Sequence, residues 1–158
     1  MNHLELTRPF DPSLVKWRVG STTKDKSRGM MLAYVDARDV MQRLDKAVGV
    51  GGWCDSYKGL ANGTDICELS IFINGQWITK SDGAGFTKVE GEKGGISDAF
   101  KRAAVKWGIG RYLYYLGTTW AELQNGYPPK GFKGQLPEWA LPENWEQHYP
   151  RMFGEQEI

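Results

Sequence analysis

The chain has 158 residues, a formal net charge of +1 and two cysteines, Cys54 and Cys67. That length fits one ordinary domain, and 41% apolar residues with seven Trp, seven Tyr and six Phe exclude a disordered chain. A charge so near zero excludes a global basic field, so nucleic-acid binding requires a local cluster of cations.

Asp11 can cap a short helix that begins with Pro12 and ends near Trp17, because proline suits a first helical position. Trp17-Arg18-Val19 and Met30-Met31-Leu32-Ala33-Tyr34-Val35 read as two strands joined by a mobile polar loop over 20–29. The loop holds Lys24, Lys26 and Arg28 against one acid, Asp25, which plain solvation explains as well as a ligand does. Asp36 then caps a helix over 37–48, where Val40, Leu44 and Val48 recur every four residues beside Met41 and Ala47. Gly49, Gly51 and Gly52 end it. Residues 53–80 read as a three-stranded meander. Its turns are marked by Asn62-Gly63 and Asn74-Gly75, pairs that tolerate the positive φ of tight hairpin turns. Cys67, Leu69, Ile71 and Ile73 alternate with Glu68, Ser70 and Phe72, which puts one strand face on a core.

The longest predicted helix covers 94–116. At about 100° per residue, Phe100, Ala103, Ala104 and Trp107 share one side. Arg102 and Lys106 project from the opposite side, with Lys101 on the flank. Residues 118–158 carry five prolines and three tryptophans with little periodicity. They read as a tail strapped on by Trp120, Trp139 and Trp145, with a frayed end after Pro150. The fold class is α+β: an antiparallel sheet, made of a hairpin plus a three-stranded meander, packed on the long helix and the second helix.

Motifs for catalysis are weak. Gly85 and Gly91 lack the spacing and the hydroxyl of a phosphate-binding GxxxxGK[ST] loop, and Lys88 stands where a dinucleotide fingerprint beginning at Gly83 needs its third glycine. His3 and His148 sit at opposite ends, and no CxxC or HxxxH spacing suggests zinc. The cysteines read as small packed residues, Asn62-Gly63-Thr64 as a turn, and the N-terminus lacks a secretory apolar stretch. No apolar run approaches 18 residues, so no membrane span is expected. No catalytic residue, metal or cofactor is expected. A cation set of Asp82, Glu90 and Glu92, with a metal-dependent nuclease as its consequence, remains as the lesser alternative. The nucleic-acid reading has more behind it. Between Phe100 and Tyr115 lie Lys101, Arg102, Lys106 and Arg111 with no acid, interleaved with Trp107, Tyr112, Tyr114 and Tyr115. Cations neutralise phosphates and aromatic faces stack on unpaired bases. Against it stand a simple Asp98–Arg102 surface pair and tyrosines that merely fill a core. A module binding duplex RNA through a basic helix fits the same pattern.

The stretch from Val89 to Leu116, with Ser97-Asp-Ala-Phe-Lys-Arg-Ala-Ala-Val-Lys-Trp107 at its centre, strongly resembles the Rad52/22 family of single-strand annealing proteins, above all the short forms of phages and prophages. Ala33–Leu44 and Val48–Trp53 are similar to the family's second helix and following strand, and the resemblance covers about residues 8–117. It implies an annealing and oligomerisation domain over 1–117 with the tail of 118–158 packed on it. It also implies a ring of protomers in which one DNA strand lies in a basic groove with its bases exposed. In the family a Lys-Arg pair on the long helix contacts phosphates, and here that pair matches Lys101 and Arg102. An Arg and a Tyr on the two hairpin strands match Arg18 and Tyr34, and Lys93 matches a further basic position. Where the family often has another Arg, this chain has Val105, so either the groove is less basic or Lys106 takes over. Lys24, Lys26, Arg28 and Lys88 are candidates for an outer DNA site.

The resemblance further implies ATP-independent binding of single-stranded DNA and annealing of complementary strands in homologous recombination and double-strand break repair. The expected setting is the cytoplasm and nucleoid of a bacterial cell. The expected partners are single-stranded DNA, copies of the same chain and a host or phage single-strand-binding protein. The extension by which longer members bind a recombinase is not expected in a chain of this length.

Overall fold

The computed structural model describes residues 3–84 and 91–154, with the backbone alone for 91–94. In chain order these form α1 (His3–Thr7), a 3-10 turn (Pro12–Leu14), β1 (Lys16–Thr22), β2 (Arg28–Tyr34), α2 (Ala37–Val48), β3 (Trp53–Gly59), β4 (Asp65–Ile73), β5 (Gln76–Ala84) and α3 (Gly91–Lys106). A 3-10 segment (Arg111–Tyr115), β6 (Thr119–Glu122), two single 3-10 turns and α4 (Trp145–Phe153) follow. The architecture is α+β, but the strands form two antiparallel sheets of three, β1-β2-β6 and β3-β4-β5, where the sequence suggested one. The reason is that the outer edge of β2 pairs with β6, a strand hidden in the aperiodic tail.

The alternation along β4 is realised: Cys67, Leu69 and Ile71 are fully buried against α3, which packs across β4 and β5. Burial pushes the Cys67 thiol up to about 11, so it is an inert packed residue. Ala99, Phe100, Ala103 and Ala104 of α3, with Trp107 just beyond its end, supply the facing layer, and the Trp107 indole N–H donates to the Leu69 carbonyl at 3.1 Å. Asn74 and Gly75, both at positive φ, turn β4 into β5. The other Asn-Gly pair sits in a wider loop instead, closed by Leu60 N–H to the Thr64 carbonyl and by the Asn62 side chain accepting from Thr64 N–H.

The structure corrects further sequence expectations. The first helix is a single 3-10 turn, capped by Asp11, because β1 already begins at Lys16. The polar loop of 20–29 shrinks to a turn over 23–27, since both strands run on through Thr22 and Arg28. Asp25 ties that turn by accepting from Thr23 and Ser27, and these hydrogen bonds hold its carboxyl down to about 2. The long helix stops at Lys106, ten residues short of the predicted end at 116. Gly108 takes φ 93, a left-handed conformation that ends helices. A β-carbon there would also stand 2.6 Å from Thr7 Cγ2.

The tail is not frayed up to Gly154: α4 runs through Phe153 with Pro150 inside it. Trp145 is fully buried and its indole N–H donates to the Thr7 hydroxyl at 3.0 Å. Nearby, the buried Tyr112 hydroxyl accepts from Phe10 N–H at 3.0 Å. Burial raises that phenol to about 12, so it stays protonated. Tyr112→Phe is expected to leave the Phe10 N–H without a partner and to cost about 1–3 kcal/mol in a urea melt.

Candidate nucleic-acid interface

A groove of about 300 Å³ separates the β1-β2 hairpin from α3. Its hairpin wall carries Arg18, Leu32 and Tyr34. Its helix wall carries Asp98, Lys101, Arg102 and Val105, and Leu113 and Tyr114 also line it. The helix residues recur at intervals of three or four, which is one face of α3. That face lies opposite the buried one, so the packing of α3 on β4 and β5 sets how its cations aim.

Tyr34 links the walls. The Lys101 ammonium lies 5.4 Å from its ring centroid and the Arg18 guanidinium 6.0 Å, both within cation–π range. Arg18 and Tyr34 come from antiparallel strands whose register pairs Arg18 with Leu32 and Lys16 with Tyr34, so all four side chains lie on one face. Lys16 is paired with Asp36, the residue that precedes α2. In place of the helix-surface pair with Asp98 that stood as the alternative, Arg102 pairs across elements: its Nε stands 3.5 Å from Asp82 Oδ1 on β5. The Arg102 side chain is 48% exposed.

The remaining basic residues have other surroundings. Lys106 turns toward β5 and its ammonium donates to the Ser81 carbonyl. Val105 occupies the groove wall while Lys106 does not. Arg111 donates from Nε to the Val105 carbonyl at 2.9 Å and from a terminal nitrogen to the Lys106 carbonyl at 2.8 Å. It thereby satisfies the open carbonyls at the end of α3, and its guanidinium lies 4.9 Å from the Phe153 ring. Lys24 and Lys26 are exposed on the hairpin turn. Arg28 lies at the far end of β2, 3.8 Å from Glu122 and 5.2 Å from the Trp120 ring. Lys93 falls in the first turn of α3, its side chain outside the described residues, and Lys88 lies outside them altogether.

Sequence reasoning missed Asp82 as the partner of Arg102, because nothing in one dimension brings residue 82 beside residue 102. Removing that charge with Asp82→Asn is expected to release Arg102 and raise affinity for single-stranded DNA by about two- to fivefold, the scale of an exposed ion pair. Fluorescence anisotropy with a labelled oligonucleotide measures it, and a fall would mean that Arg102 needs Asp82 to hold its position. Of the alternative nuclease set, Asp82 is thus engaged with Arg102, while Glu90 and the side chain of Glu92 lie outside the described residues. Among the described residues, no three His, Cys, Asp or Glu side chains gather as a metal site. No helix there is long and apolar enough to cross a membrane.

Two relatives are proteins named single-stranded DNA-binding protein DdrA. The one from Deinococcus deserti is 36% identical over 143 residues, spanning 88% of this chain and 69% of the relative. The one from Deinococcus radiodurans is 33% identical over 141 residues, spanning 88% and 67%. The model of the Rad52/22 family of double-strand break repair proteins matches residues 3–132, from α1 through the hairpin, both sheets and α3 into the segment after β6. The chain that builds this groove therefore belongs to the Rad52/22 family of double-strand break repair proteins.

Proposed function

We propose that this protein binds single-stranded DNA in the groove between the hairpin and α3 and anneals complementary strands without ATP, as an oligomeric ring acting in recombinational repair. The observation that carries this reading is the convergence of Arg18, Tyr34, Lys101 and Arg102 from three segments onto one groove in a member of a repair family. The cations neutralise phosphates, and that neutralisation supplies much of the affinity for a nucleic-acid strand. Annealing is downhill, so the protein needs only to hold a strand extended with most of its bases free, and no energy source is required. A ring repeats a few phosphate contacts around a circle. Effective concentration then turns weak contacts into tight binding, which reconciles DNA binding with a protomer of charge +1. The same reading places the protein at bacterial chromosomal or phage DNA in the cytoplasm, with a single-strand-binding protein as its neighbour on the strand.

The test is pairing of two complementary fluorescent oligonucleotides with no nucleotide present, alongside the particle mass in solution. Acceleration of pairing by a particle many protomers in size is the expected result. A monomer at micromolar concentration that leaves pairing at its spontaneous rate would sink the proposal.

A further inference from the structure

The hairpin face that carries Arg18 and Tyr34 does not end at the groove. Along β2 the residues on that face are Tyr34, Leu32, Met30 and Arg28, alternating with Ala33, Met31 and Gly29 on the other. The register then places Trp120 of β6 beside Met30, and Glu122 beside Arg28. From Tyr34 to Arg28 is a run of about 20 Å at the usual rise of a strand. At its far end the Trp120 ring is 45% exposed, although tryptophan is a residue that folding normally hides. The Arg28 guanidinium lies 5.2 Å from the ring centroid, and its Nε is 3.8 Å from the Glu122 carboxylate.

We propose that Trp120 and the Arg28 guanidinium form a nucleobase-stacking subsite for single-stranded DNA, continuing the groove along the β1-β2-β6 sheet; this rests on the reading of the groove given above. The chemistry favours a base over a phosphate at this end. Glu122 offsets the charge of Arg28, so the pair offers little net attraction to a phosphate. What it does offer is a flat indole and a flat guanidinium, both surfaces on which unpaired bases stack. The backbone of the same strand has cations within reach on both sides, Lys24 and Lys26 on the adjoining turn and Arg18 and Lys101 at the groove. That complementarity of charge points to a polyanion as the occupant of an exposed aromatic face.

Two oligonucleotides of equal length test this, one of thymidines and one abasic throughout. Trp120→Leu is expected to weaken thymidine-strand binding about tenfold, the scale of one lost base–aromatic stack, and to leave abasic-strand binding and the salt dependence unchanged. Trp120→Phe is expected to restore most of the loss. Equal binding of the thymidine strand by wild type and Trp120→Leu overturns the subsite and leaves the groove standing, as does equal weakening of both strands. Wild type that binds neither strand at low salt overturns the groove reading along with the subsite. An independent measurement uses the unaltered protein. A strand carrying 5-iodouracil, irradiated in the complex, is expected to crosslink to the peptide containing Trp120. Crosslinks that form only at other peptides overturn the subsite.

Discussion

Replacing Lys101 and Arg102 together by alanine is expected to weaken single-stranded DNA binding by roughly a hundredfold or more while the oligomer stays intact. Each side chain offers charge-assisted hydrogen bonds worth about 1.5–3 kcal/mol, so losing two costs about 3–6 kcal/mol. The logarithmic slope of affinity against salt should become shallower by about 1.4, because about 0.7 of a counterion is released per phosphate contact on a single strand. The fold should tolerate the change. Both residues lie on the groove face of α3, whereas the apolar face is built from Phe100, Ala103, Ala104 and Trp107. Arg102 contributes only a half-exposed ion pair, whose loss costs little. Anisotropy titrations at several salt concentrations, with particle mass as control, decide it. Unchanged affinity and slope would remove these residues from the site.

The second large effect is on stability. Trp145→Ala is expected to lower unfolding free energy by about 3–5 kcal/mol, the usual cost of emptying a buried aromatic site. That is a large part of the about 5–15 kcal/mol that holds a domain together. Trp145 meets Tyr149 and Phe153 edge-on, with ring centroids 6.2 and 6.1 Å away, and its indole N–H is bonded to Thr7. Truncation would empty the site between α1 and α4 and also strip the Thr7 hydroxyl of its donor. The midpoint of urea unfolding should fall with an unchanged slope. A shift below about 1 kcal/mol would show that α4 is a loosely attached strap.

What could be read from the sequence was local in origin. The apolar side of α3 and the alternation along β4 follow from helix and strand periods, and both are found as read. The end of α3 was misread because Gly108 breaks the backbone at a positive φ, and side-chain pattern says nothing of φ. The tail was read as aperiodic because its partners are remote: β6 pairs with a strand some ninety residues earlier, and Trp145 with a threonine near the start. The groove shows the same division. Lys101, Arg102, Lys106 and Arg111 look alike in a count of charges, yet the structure gives two to the groove wall and turns two onto backbone carbonyls. Helical geometry separates Lys101 from Lys106, but only the break after Lys106 brings Arg111 back onto the end of α3.

The bond between Thr7 and Trp145 spans 138 residues, and it dictates an order of events while the protein is being made. Hairpins close within microseconds, so β1 and β2 can pair as soon as both have left the ribosome. The α1 segment meets α2 next, where Arg43 donates to the Arg8 carbonyl, but its bond to α4 has to wait. At about 5–20 residues per second, the chain needs about 7–28 s to bring Trp145 to its partner. For that interval a growing chain displays a hairpin beside an α1 held from the α2 side, and the α4 side of its site closes only when Trp145 arrives.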